Sequence, residues 1–172
     1  MLKRFEVENF KGFPKRLCFD LSAEGYGFNQ NLVENGIVKK AIIYGKNGVG
    51  KTSLGIALFD IISHLTDKER VPSAYQQNYI SLEDIQRPAL FKYTFMFGDD
   101  MVEYEYQKWD PDNLVSEKLT CNGRVLIDYE YFSDAKEHQF IDTSLKKSLN
   151  ISLVDNKLSV KNTFTTDSLY IR

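Results

Sequence analysis

The residues best suited to chemistry are eight consecutive ones, Gly45-Lys46-Asn47-Gly48-Val49-Gly50-Lys51-Thr52. Gly45, Gly50, Lys51 and Thr52 fill the defining positions of the pattern GxxxxGK[ST], and Gly48 adds another glycine inside it. Glycine reaches backbone angles closed to other residues and leaves room for main-chain N–H groups to converge on an anion. A helix opening at Lys51 would add its unpaired N–H groups and the positive end of its dipole. The ammonium of Lys51, the one catalytic candidate, would reach the β- and γ-phosphates of a nucleotide, and the Thr52 hydroxyl would coordinate Mg²⁺. The bland alternative is a glycine turn that caps a helix, a pattern that a chain of this length shows by accident on the order of once in a hundred times. The nucleotide expected is ATP. No DxxG occurs, and Asn156-Lys157-Leu158-Ser159 lacks the closing Asp of the guanine-reading NKxD.

A phosphate loop needs elements at both ends to hold it. Ala41-Ile42-Ile43-Tyr44 is a short apolar run of the kind that forms a buried strand leading into the loop. Behind the loop, Leu54, Leu58, Ile61, Ile62 and Leu65 recur at spacings of three and four, which predicts an amphipathic helix. Leu2 to Phe10 and Arg16 to Leu21 alternate in polarity around the turn Lys11-Gly12-Phe13-Pro14, an antiparallel hairpin. Two more hairpins are expected: Phe91 to Phe97 with Met101 to Trp109, and Leu114 to Cys121 with Arg124 to Tyr131. The second of these turns on Asn122-Gly123, a pair that tolerates positive φ at both positions. Residues 134 to 150 are read as a helix and Ile151 to Val154 as a short strand. The aromatic stripe Tyr93, Phe95, Phe97, Tyr104 and Tyr106 reads as cross-strand packing rather than as a base-stacking platform.

Hydrolysis asks for a second acid on a strand and a group that orients water. The nearest candidate, Val125-Leu126-Ile127-Asp128, belongs to the second arm of the Asn122-Gly123 hairpin and lacks the parallel crossover of a catalytic sheet. Asp128 therefore reads as a solvated strand residue. His64 lies late in its helix, where a cation suits the dipole, and His138 sits in a charged stretch; neither has a sequence partner that suggests catalysis.

The chain has 172 residues, of which 42% are hydrophobic, 27% charged and 13% aromatic, enough for one soluble globular domain, residues 1–172, with a real core. A net charge of −2 gives no global attraction to nucleic acid. Cys18 and Cys121 match no metal or disulfide spacing and read as reduced thiols, which suits the cytoplasm. No run approaches the roughly 18 apolar residues of a membrane span.

Taken together, FEVENFKGF at Phe5 to Phe13, the strand RLCFDL, AIIYGKNGVGKTS and the following hairpins resemble the N-terminal lobe of the ABC-type ATPases related to SMC, RecF and OLD proteins. The resemblance implies an α/β fold, a P-loop NTPase head lobe with an N-terminal hairpin, a P-loop strand-helix unit and further antiparallel hairpins. It also implies ATP held with Mg²⁺ between two heads, so that a second head, in a homodimer, or the remainder of the ATPase is the expected partner. DNA or an effector protein would lie downstream, in genome maintenance or anti-phage defence. The expected nucleotide-binding set is Gly45, Lys46, Asn47, Gly48, Val49, Gly50, Lys51, Thr52 and Ser53, with Lys11 from the NFKGF turn; Gln139 joins Thr52 as a metal ligand. A lysine at the place of Lys11 is more often simply a solvated turn residue, and Asn47 has the alternative of a residue suited to the loop backbone. No LSGG-like signature, Walker B acid pair or switch histidine is found in the sequence, so the chain looks like the first half of a head that binds more than it hydrolyses. A self-contained kinase or nucleotidyl enzyme, and a scaffold that merely holds a nucleotide, are the rival readings.

Overall fold

The alternation at the N-terminus forms strand β1, Leu2–Glu8, which pairs antiparallel with β2, Leu17–Asp20. The computed structural model describes residues 1–25, 27–66, 76–131, 139–142, 149–154, 157–162 and 170–171. A small hairpin follows, β3 (Val33–Glu34) with β4 (Ile37–Val38), and then the helix α1, Lys51–Leu65. Four strands run as a meander: β5 (Ala89–Phe97), β6 (Asp100–Lys108), β7 (Leu114–Cys121) and β8 (Arg124–Glu130). The edge strand β9, Gln139–Ile141, completes a seven-stranded sheet in the order β2-β1-β5-β6-β7-β8-β9, every neighbouring pair antiparallel. A separate three-stranded sheet joins β10 (Leu149–Val154), β11 (Lys157–Asn162) and β12 (Tyr170–Ile171).

The hairpins stand where turn chemistry puts them. Asn122 and Gly123 take φ of 50° and 79°, both positive, as a two-residue turn of the expected type requires. One face of the sheet is the core. Its cross-strand rows run Phe5, Tyr93, Tyr104, Leu119 and Ile127, then Val7, Phe91, Tyr106 and Glu117. Their rings stack and tilt at centroid separations of 4.8 Å for Phe5 with Tyr93 and 5.2 Å for Phe91 with Tyr106, so the aromatic stripe is largely packing. Phe97, at the strand end, is exposed. On the other face a charge-alternating row, Glu6, Lys92, Glu105, Lys118 and Asp128, crosses five adjacent strands; Glu6 is buried beside Arg4 and Arg16, and the rest are half-buried.

The α/β expectation is overturned. Strands make up 44% of the chain against one helix among the described residues, and the sheet is antiparallel throughout. Ala41–Tyr44, expected as a buried strand before the loop, has no regular structure, and Ile42 and Tyr44 are 90% and 91% exposed. A strand buried on both faces needs a neighbour along each edge and cover on each side. In this sheet β1 pairs directly with β2 and β5, so no position beside β1 is left for the run to occupy. The helix expected over 134–150 falls mostly outside the described residues; where it is described it is strand, Gln139–Ile141 in β9 and 149–150 in β10.

Candidate functional site

The glycines of the loop adopt the backbone that their role requires. Gly48 and Gly50 have φ of 85° and 93°, in the left-handed region, and Gly50 is the N-cap of α1. Its neighbourhood is tight: a Cβ there would lie 3.1 Å from the ring of Phe13, which would have to give way. No side chain caps the helix, and its first turn carries no acid, so the N–H groups at this end are met by no side chain of the helix itself. Lys51 curls back along the loop and donates from Nζ to the carbonyls of Gly45, at 2.8 Å, and Lys46, at 2.6 Å. The ammonium is thus held within the loop by its own main chain. Thr52 is exposed on the first turn and Ser53 half-buried beside it. From Asn35 to Phe59 the chain carries four lysines and no acid; Lys39 pairs with Glu34 at 3.3 Å, which leaves Lys40, Lys46 and Lys51 as a local positive stretch in a chain of net charge −2.

The loop is open: Gly45 to Val49 are all exposed, so nothing excludes water from a ligand there. Around it the apolar surface continues. Ile42, Tyr44 and Val49 are exposed, and α1 shows Phe59, 62% exposed, and Ile62 to solvent.

The turn carrying Lys11 is tied to the segment after α1. Lys11 N–H donates to the Tyr79 carbonyl at 3.0 Å, its Nζ to the Gln77 carbonyl at 2.9 Å, and Ser81 N–H to the Asn9 carbonyl at 3.2 Å. Lys11 and Asn9 both take positive φ, 48° and 55°. Burial lowers the pKa of the Lys11 ammonium. A cleft of about 410 Å³ lies here, lined by Lys11, Gly12, Pro14, Asn78, Ser81 and Glu83 among others. The Phe13 ring, against Gly50, joins this turn to the loop. Gln139 is elsewhere, on edge strand β9, five strands along the sheet from β1. Among the described residues no group of three His, Cys, Asp or Glu could hold a metal ion by itself. Asp128 pairs with Lys118 at 3.0 Å on the charged face.

Leu54, Leu58, Ile61 and Leu65 pack against the core as their spacing predicts, but apolar periodicity missed the polar residues buried beside them. The buried residues of α1 are Ala57, Asp60 and His64, while Leu54, Leu58, Ile61 and Leu65 are only partly covered. Asp60, 1% exposed, accepts from the hydroxyls of Tyr79 (3.0 Å) and Tyr106 (2.8 Å) and from Lys108 Nζ (3.0 Å), itself 2% exposed. The Tyr93 hydroxyl donates to the Ala57 carbonyl at 2.8 Å. One turn further, His64 Nε2 lies 2.6 Å from the Tyr104 hydroxyl and 3.2 Å from Glu117 Oε1. Tyr104 spends its proton on Glu117, at 2.9 Å, so Nε2–H is the donor toward Tyr104. Burial lowers the pKa of His64, against the pull of Glu117, and raises those of Tyr79, Tyr93, Tyr104 and Tyr106. His64 is therefore a buried donor on the sheet-facing side of α1, with its charged form disfavoured by burial. Only the spacing of Asp60 and His64, four residues apart on one helix face, hinted at this seam.

No protein-family model matches the chain, and no curated protein is significantly similar to it.

Proposed function

We propose that the chain binds ATP with Mg²⁺ at Gly45 to Ser53, as the nucleotide-binding part of an SMC/RecF/OLD-like ATPase. The observation that carries this reading is the loop itself: two glycines in left-handed conformation deliver the chain into a helix start without a side-chain cap, and Lys51 is anchored across the loop. The local excess of lysine favours a polyanion over a neutral ligand. The strand expected to lead into the loop is not formed and the sheet is antiparallel, so the reading rests on the loop and not on the fold. Mg²⁺ is commonly held by one or two protein ligands together with phosphates and waters, a demand that the exposed Thr52 hydroxyl meets without a dedicated cage. The ion would neutralise charge on the phosphates.

Turnover needs more than this loop provides. An exposed site leaves electrostatic stabilisation weak, and no second acid lies beside the loop in the sequence. The completing groups would come from a second head, in a homodimer, or from the remainder of the ATPase. The exposed run Ala41 to Tyr44 and the exposed Phe59 and Ile62 of α1 favour a partner that covers this side. The test is equilibrium retention of ATP by the purified chain, measured beside steady-state phosphate release. Saturable retention strengthened by Mg²⁺, with release far below one turnover per second, is expected; sustained release at rates typical of complete enzymes contradicts the incomplete-site reading.

A further inference from the structure

Helices usually dock on sheets through apolar stripes. Here the apolar stripe of α1 packs against the core but is only partly covered, and the most deeply buried side chains of the contact, besides Ala57, are the polar Asp60 and His64. We propose that Asp60, His64, Lys108 and Glu117 are positioning residues: they seat α1 on the sheet, and the protonation of His64 decides how firmly the phosphate loop at the other end of the helix is held. The second half of this statement rests on the proposed nucleotide site; the first does not.

The geometry gives two fixed points one turn apart. Asp60 is held by β6, through Tyr106 and Lys108, and by Tyr79. His64 is held by Tyr104 of β6 and by Glu117 of β7, and Glu117 also accepts from the Tyr131 hydroxyl at 3.0 Å. The His64 ring stacks on Tyr106 at 4.2 Å, so it has little freedom to turn away. Hydrogen bonds have directions, and two such points fix rotation and sliding of the helix more narrowly than apolar contact does. Gly50 and the loop are continuous with α1, and Phe13 against Gly50 ties the same loop to the hairpin of β1. A helix shifted on the sheet therefore moves the loop against Phe13.

The charged and titratable groups facing His64 are Asp60 on α1, Tyr104, Tyr106 and Lys108 on β6, Glu117 on β7 and Tyr131 beyond β8; Tyr93 on β5 completes the layer. Glu117 and Asp60 favour an imidazolium, while Lys108 and burial oppose it, and burial is the largest influence. The seated helix thus keeps His64 neutral, and a released helix lets it protonate in water. Acid then favours release. For a single group of ordinary pKa near 6.5 when released, going from pH 7.5 to 5.5 favours release by up to about tenfold.

The experiment follows amide hydrogen exchange of α1 between pH 7.5 and 5.5, corrected for the intrinsic pH dependence of exchange, in wild type and His64→Gln, with Mg-ATP affinity measured on the same samples. In wild type, α1 protection falls by up to about tenfold on acidification, and affinity falls with it; His64→Gln, whose amide still donates, loses the pH dependence of both. Protection independent of pH, or equal pH dependence in the two proteins, overturns the proposal whatever ATP does. Falling protection with constant affinity overturns the link to the loop. Falling protection with no ATP bound at any pH leaves the seating intact and refutes the nucleotide site instead. Should His64→Gln not fold, imidazole titration by NMR in wild type decides: with only two histidines in the chain, a titration midpoint below 6.5 for one of them is expected, and none below 6.5 overturns the proposal.

Discussion

At the scale of single residues, Asp60 and Lys108 carry unequal shares of one buried ion pair. Asp60 accepts three hydrogen bonds, so replacing it by Ala strands an ammonium and two tyrosine hydroxyls in the core. Lys108→Met leaves Asp60 with both hydroxyls. Asp60→Ala is expected to cost about 3–5 kcal/mol of unfolding free energy and Lys108→Met clearly less, as read from denaturant midpoints. Equal costs would mean that the tyrosines do not support the carboxylate. Gly50 makes a second residue-scale case. Ala there must adopt φ near 93° and push its Cβ against Phe13, so Gly50→Ala should destabilise the chain by about 1–2 kcal/mol and weaken nucleotide binding more than Gly48→Ala, whose Cβ meets nothing. The left-handed backbone at Gly48 and Gly50 was legible in the sequence because local geometry demands glycine there. Asp60, His64 and Glu117 were not, because their role comes from neighbours distant in the chain.

At the scale of elements, strands and hairpins followed from alternation and from Asn122-Gly123, whose preferences act within a few residues. Ala41–Tyr44 did not follow. Composition records how strongly a segment prefers burial, and it is silent on whether a sheet position exists to receive it. The helix was legible in extent, and its apolar residues Leu54, Leu58 and Ile61 do pack against the core; the hydrogen-bonded seat at Asp60 and His64 was not legible, because its partners lie on strands elsewhere in the chain. The unpaired apolar run has a physical consequence. Exposed unpaired backbone with apolar side chains promotes association. Ile42→Lys should leave stability within about 0.5 kcal/mol of wild type, since the side chain touches little, and should reduce concentration-dependent self-association in sedimentation velocity. A large loss of stability would show that the run is covered in solution.

At the scale of the whole molecule, four buried tyrosine hydroxyls tie α1, the sheet and the segment after α1 into one unit. Their pKa values are raised by burial, so the folded chain keeps protons that the unfolded chain gives up above pH 10. Their contribution is complete below that pH and is lost as pH rises through it. Stability should hold level to about pH 9.5 and then fall steeply, with tyrosinate absorbance appearing together with unfolding; tyrosinate formed gradually in a folded chain would show that the seam is open to water. No helix among the described residues is long and apolar enough to cross a membrane. The central claim is the phosphate site, and its most direct test is titration of the folded chain with ATP and GTP, with and without Mg²⁺, beside Lys51→Ala. Saturable binding that favours ATP, strengthens with Mg²⁺ and disappears in the folded variant is the predicted result. Equal binding by wild type and Lys51→Ala, or none by a folded wild-type chain, would contradict it.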